Sequence, residues 1–251
     1  PSATFECETL ELLSLASVRA CAQRVASRHR ELHLLINNAG VMATPFERTQ
    51  EGFELQFGVD HLAHFLFSCL LVDTLKAAAP ARVVSLASRG HWWSDVQWED
   101  PNFERLPYDK WKAYGQAKTA NILFAVEFER RFGALGVNAY AVHPGAIQTE
   151  LGRYLTEEDR ARIEQMRQRA AAASPTPWKS IPQGAASTVW AATAPELTGR
   201  GGLYIEDCHI GVERQAGLEA GYAQYARNPD AARRLWELSE RLVGLSQSKA
   251  I

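Results

Sequence analysis

The sequence has no apolar run long enough to cross a membrane. Its longest, around HFLFSCLLVDTL, is broken by Asp73 and falls short of the ~18–20 residues that a helical span needs. It has almost no excess charge: 27 Lys and Arg stand against 29 Asp and Glu, a formal net charge of −2. A non-specific nucleic-acid binder is normally basic, so that class drops out. Cysteine is sparse. Cys7, Cys21, Cys69 and Cys208 are scattered, with no CxxC. This argues against a disulfide framework or a zinc site and for a reducing compartment, the cytoplasm. Cys208 reads as a buried small residue beside a strand end. There is no secretory leader, and the chain opens on Pro1 rather than Met. The expectation is that the natural start, with any anchor, lies upstream.

What is present suits one folded domain. The 251 residues are 46% hydrophobic and 22% charged, enough to bury a sizeable core and far from a disordered composition. Strand-like and helix-like segments alternate. SLASVRACAQRVASRH sets Leu15, Val18, Ala22 and Val25 at helical spacing behind Ser14, an N-cap. LHLLINNAG is a short apolar run ending in polar and turn residues, a buried strand. GVDHLAHFLFSCLLVDTLKAAAP reads as one long helix stopped near Pro80. ARVVSLAS, VNAYAVHPG and GLYIED read as three more strands. YGQAKTANILFAVEFERRFG reads as a helix with Arg130 and Arg131 in its last turn and Gly133 beyond it.

Nearly all-apolar strands alternating with helices predict an α/β fold, a parallel sheet covered on both faces. Ligands of such sheets bind at the carboxyl ends of the strands, where Asn37, Asn38, Ser88 and His143 fall. Residues 153–183 are charged, then Ala-rich, then Pro-rich. They read as an inserted helix and loop, a substrate lid within a single domain spanning 1–251.

Tyr114 and Lys118 stand one helical turn apart in KAYGQAKTANILF. A free phenol, with a pKa near ~10, is a poor acid or base at neutral pH. A neighbouring ammonium stabilises the phenolate and makes a usable proton donor and acceptor for an alcohol/carbonyl pair. Gly115, Ala117 and Ala120 leave room for a close neighbour. In LLINNAG, two consecutive amides end a strand and must find partners, and Gly40 lets backbone approach a ligand. Ser88 closes the strand RVVSLAS, and Pro144-Gly145 follows another strand directly. Taken singly, each has a plain structural reading as a surface pair, an Asx turn, a cap or a turn.

Together, NNAG, Ser88, YGQAK and HPG occur in an order that resembles the classical short-chain dehydrogenase/reductase family, over about Leu10 to Leu245. LLINNAGVM, GFELQFGVDHLAHF and PQGAASTVWAATAPELTGRGGLYIEDC are most similar to its retinol-dehydrogenase-like branch. The resemblance implies a Rossmann-like doubly wound sheet and NADP or NAD as cofactor, the branch leaning to NADP. It implies a small hydrophobic alcohol or carbonyl substrate, a homodimer or homotetramer, and no nucleic-acid partner. It makes Tyr114 the general acid/base. Lys118 would tune Tyr114 and hold the nicotinamide ribose, and Ser88 rather than Ser85 would bind the substrate oxygen. Glu11, Leu12, Asn38, Ala39, Gly40, Pro144, Gly145, Ile147 and Thr149 would line the cofactor, together with Tyr114 and Lys118.

Two departures from the family stand out. No Gly-rich turn is present: before residue 60 the only glycines are Gly40, Gly52 and Gly58. ATFECETLELLSLASVR resembles the family's third strand and following helix, so the fold is expected to be N-terminally truncated, lacking the first βαβ unit. In addition, Asp60 stands where the family has Asn beside a proton-relay water, so it is counted among the catalytic residues and expected to retune the site. A competing reading is a fragment or paralogue without cofactor, acting as a dimerising scaffold through its two long helices. Another doubly wound enzyme, such as a methyltransferase, shares the alternation but not the Tyr/Lys helix. His61 and His64 read as core or dimer packing. Trp92, Trp93 and Trp98 read as a substrate entrance or as packing.

Overall fold

A computed structural model describes residues 4–173 and 178–245. Ser14 caps helix α1 (Leu15–Arg28), its side chain accepting from the Ser17 amide. Strand β1 (Leu34–Asn37) follows. The helical run after it starts at α2 (Leu55–Phe57), widens into a π segment (Gly58–Ala63), and continues as α3 (His64–Leu70) and α4 (Val72–Ala77). The sequence predicted one continuous helix here. The widened turn re-aims the side chains within it, and such turns recur at functional sites.

Strand β2 (Ala81–Leu86) leads through a 3₁₀ turn (Arg89–Trp93) to α5 (Lys110–Phe132), which is capped by Asp109. Strand β3 (Val137–His143) precedes α6 (Glu157–Ala173) and α7 (Ile181–Thr193). A hairpin of β4 (Leu203–Glu206) and β5 (His209–Ile210) leads to α8 (Pro229–Leu242).

The sheet has the order β1-β2-β3-β4-β5. The first four strands are parallel, with Ile36 beside Val84, Ser85 beside Ala141 and Val142 beside Ile205. The expectation of a parallel sheet therefore holds except at β5, which is antiparallel to β4. Side chains alternate between two covered faces. Leu35, Val83, Ala139 and Tyr204 pack under the helices of one face, and Val84, Tyr140, Val142 and Ile205 pack under α7 on the other. Residues 4–10, read from the sequence as a strand, form none, because a strand requires a hydrogen-bonded neighbour and no strand of the described residues lies beside them. β1 is the outermost strand, and its Ile36 is 40% exposed.

The aromatic faces of α3 and α5 are filled from within the chain. Trp236 of α8 packs edge-on to Phe65 at 4.9 Å and lies parallel to Phe124 at 6.0 Å. His61 bonds Ser239 of α8 through Nε2 at 2.8 Å, and His64 bonds the Asp60 carbonyl through Nδ1 at 3.1 Å. Both histidines are therefore core groups. Among the described residues, no helix is long and apolar enough to cross a membrane, and no cluster of three or more His, Cys, Asp or Glu side chains is placed to hold a metal ion.

Candidate active site

The carboxyl end of β2 gathers the reactive groups. The Leu86 carbonyl accepts from Asn121 Nδ2 at 2.9 Å and from Lys118 Nζ at 3.4 Å, which pins α5 to the strand end. Two residues on, Ser88 caps the 3₁₀ turn, its Oγ accepting from the Gly90 amide at 3.0 Å. The Ser88 hydroxyl also acts on the Tyr114 phenol, in the direction that lowers its pKa. Ser85 is buried within β2, three residues before Ser88.

Lys118 Nζ lies 5.4 Å from the Tyr114 ring centre. α5 approaches the turn closely because Gly115 has no side chain: a Cβ there would stand 2.8 Å from the Ser94 amide nitrogen. Thr119 Oγ1 then donates to the carbonyls of His91 and Ser94. Gly90 makes room for the tyrosine itself, since a Cβ on it would fall 2.6 Å from Tyr114 Cε1. Gly90→Ala must therefore displace the phenol or the turn. It is expected to cost about 1–3 kcal/mol of stability and about 10²-fold in turnover through misplacement of the phenol. Melting temperature and kcat measured on the same preparation check this; if neither changes, the contact does not position Tyr114.

Asp60 completes the cluster. It is fully buried; its Oδ1 accepts from the Val41 amide at 2.8 Å, and its Oδ2 faces Lys118 Nζ at 2.9 Å. Burial pulls the Lys118 ammonium toward neutrality, but the Asp60 carboxylate and the Tyr114 oxygen outweigh it, and its pKa is raised. Burial also raises the Tyr114 phenol, against the lowering influence of Lys118 and the Ser88 hydroxyl; Asp60 adds to the rise. The sequence predicted an acidified tyrosine. Lys118 does act in that direction, but desolvation and the charge of Asp60, the residue expected to retune the site, act against it.

The expected cofactor residues are distributed around this cluster. Asn37 is buried and donates through Nδ2 to Ser68 Oγ at 2.9 Å, a structural role, while Asn38 and Ala39 are exposed at the end of β1. Gly40 lies against Asp60: a Cβ would stand 3.2 Å from Oδ1. Leu12 packs on Val41, Leu55 and Val59, and Glu11 accepts from the Leu13 amide. Across the sheet, the Arg89 amide donates to His143 Nδ1, which brings the β3 end beside Ser88. Gly145 adopts φ +93° beneath the Lys179 side chain, which donates to the Pro144 carbonyl and pairs with Asp207. Ile147 is half-buried against Gly184, and Thr149 caps the next 3₁₀ turn, accepting from the Leu151 amide.

An apolar cavity of about 210 Å³ is walled by Trp93, Trp111, Ile163 and Met166 and rimmed by Lys112, Asp109 and Arg162; Trp93 stands between it and Tyr114. The Trp93 ring is 6.0 Å from that of Tyr114 and 5.2 Å from that of Trp111. Of the three tryptophans singled out in the sequence, only Trp93 lines this cavity. Trp92 donates to the Gly221 carbonyl and Trp98 packs under Arg234. Asp159 pairs with Lys110 at 2.5 Å and holds α6 over the cavity. Cys208 is exposed rather than buried, because Asp207 and Cys208, with φ of +47° and +56°, form the tight β4–β5 turn and point outward.

No protein-family model matches the chain. A short-chain dehydrogenase/reductase of Penicillium roqueforti is 38% identical over 246 residues, covering 95% of this chain and 70% of that protein. The chain belongs to the short-chain dehydrogenase/reductase family. Human retinol dehydrogenase 13 is 38% identical over 239 residues, and the match covers 68% of its length. A solved protein of Mycobacterium paratuberculosis superposes with a TM-score of 0.66 at 31% identity, covering 94% of this chain and 74% of that one. An NADPH-bound carbonyl reductase from chicken fatty liver, at 19% identity and a TM-score of 0.53, shares the fold.

Short-chain dehydrogenase/reductases use a nicotinamide dinucleotide, and the residues present fit one end of it. Gly40 and Val41 lie against Asp60 and Asp60 against Lys118, so the exposed Asn38–Gly40 turn meets the Tyr114–Lys118 end of α5. That suits a nicotinamide ribose. The pyrophosphate end has no Gly-rich strand-to-helix turn in the sequence. Trp111, Val41 and Gly90 escaped sequence reading. Only Gly90, two residues past Ser88 in SRGHW, carried a local signal.

Proposed function

We propose that the chain interconverts an alcohol and an aldehyde or ketone with NADP or NAD, Tyr114 acting as general acid/base. The observation that carries this reading is the convergence of the Tyr114 phenol, the Ser88 hydroxyl and the Lys118 ammonium at the carboxyl end of β2. The bound cofactor supplies or accepts the hydride. Ser88 donates a hydrogen bond to the substrate oxygen and orients it toward Tyr114. In reduction, the phenol gives its proton to that oxygen as charge develops there; in oxidation it takes the proton back. Lys118 stabilises the phenolate that forms and, on its remaining N–H, the ribose hydroxyls. The tryptophan-walled cavity receives the body of a small hydrophobic substrate and keeps water from it.

The test is a thermal-shift titration with NADPH and with NADH. Binding at 100 times the dissociation constant stabilises by about 2.7 kcal/mol. For a chain of this size that is expected to raise the melting temperature by roughly 5–10 °C. No shift with either nucleotide would sink the reading for this chain.

A further inference from the structure

Between α5 and the π segment the chain buries a charge pair that proton transfer by a Tyr/Lys helix does not itself need. Asp60 is 0% exposed and Lys118 is 4% exposed. The carboxylate divides its two oxygens between two donors. Oδ1 takes the Val41 amide, next to Gly40, while Oδ2 has no aligned hydrogen bond and only the Lys118 charge for a partner. Asparagine could not reproduce this. It has one acceptor oxygen, so its NH₂ would face either the Val41 amide or the ammonium, donor against donor.

We propose that Asp60 is a positioning residue that sets the proton affinity of the Tyr114–Lys118 pair and ties that pair to the Asn38–Val41 turn. The inference rests on the acid/base role proposed for Tyr114.

A charge count gives the direction. With Tyr114 neutral, Lys118 and Asp60 sum to zero, and loss of one proton leaves a net negative charge in a water-poor site. Without the Asp60 charge, the same loss takes the pair from net positive to neutral. The carboxylate therefore makes the first proton harder to remove, whichever of the two groups releases it.

The surrounding groups do not supply the same effect. His64, on the same helical run, is held neutral by burial, its pKa lowered to about 4. Glu54, at the start of α2, has its pKa raised by burial to about 7 and interacts with Asp60 as a like charge. Arg153, in the 3₁₀ turn after β3, interacts with Asp60 in the opposite sense. The Ser88 hydroxyl faces Tyr114 from the β2 end and carries no charge. Of these charged groups, only Asp60 forms an ion pair with Lys118. Reduction, which needs the protonated phenol, should then persist to higher pH, and oxidation, which needs the deprotonated pair, should rise later.

The experiment is a near-ultraviolet phenolate titration of the chain and of Asp60→Asn, each with its Tyr114→Phe counterpart as the blank. It requires no cofactor. The Tyr114-dependent step is expected to move to lower pH in Asp60→Asn by about one to three units. Asp60→Ser, which removes the charge and fits within the space of the carboxylate, is expected to move it the same way and serves if the amide variant folds poorly. The rise of kcat for alcohol oxidation should shift in parallel. A step that stays in place in a folded variant would overturn the proposal, as would the absence of any Tyr114-dependent step in both proteins. Failure of the acid/base assignment would be seen separately, as turnover surviving in Tyr114→Phe while the titration still shifts.

Discussion

Tyr114→Phe is expected to lower kcat by about 10²–10⁴-fold with little loss of stability. The ring is 2% exposed and packs beside Trp93 and Gly90. Phenylalanine keeps those contacts and removes one oxygen. What the fold loses is the polar contact of that oxygen with Ser88, worth at most about 1 kcal/mol, or roughly 2–4 °C in a chain of this size. Carbonyl reduction followed with saturating cofactor, alongside a thermal melt, separates the two effects. An unchanged kcat in a folded variant would remove Tyr114 from the chemistry.

Lys118→Met should have the largest effect on stability. Methionine fills a similar volume but leaves the Asp60 carboxylate buried without its counter-charge. Removing one partner of such a pair costs about 3–5 kcal/mol, and turnover should fall with it. The pH dependence tells this loss from simple mispacking. Burial already raises Asp60 against the opposing pull of Lys118, and without Lys118 the rise is larger. A carboxyl whose folded-state pKa is raised penalises the folded state above that pKa and relieves it below. The stability of Lys118→Met relative to the parent should therefore recover as pH falls toward the carboxylate range. Denaturant unfolding of both proteins across mildly acidic to neutral pH gives the comparison, and a gap independent of pH would mean that charge is not the cause.

Much of this arrangement was legible in the sequence because it is periodic or local. Leu35, Val83, Val84 and Tyr140 lie in runs whose apolar character already implied a sheet buried on both sides. Ser88 was separable from Ser85 by its place at the end of RVVSLAS. Ser14 announced α1. The features that escaped depend on residues far apart in the chain. The π segment arises as the helical run settles over α5, and no residue in GVDHLAHF signals a wider turn. Asp60 was singled out in the sequence as retuning the site, but its contact with the Val41 amide, 19 residues away, was not. Trp111 lines the cavity only because the Lys110–Asp159 pair draws α6 over it. Cys208 was placed by hydrophobic character, and the left-handed turn decided otherwise.

The packing of α8 also orders the birth of the protein in time. Phe65, Phe124 and Phe128 are covered by Trp236, so their shelter is made well after they are. From Phe132 to Trp236 is 236 − 132 = 104 residues. At ~5–20 residues per second, a ribosome takes roughly 5–20 s to cross that distance. During that interval the aromatic surface of α5 is translated but still uncovered, open to chaperones or to neighbouring nascent chains. Only when α8 emerges does the tyrosine helix gain the cover of its outer aromatic face.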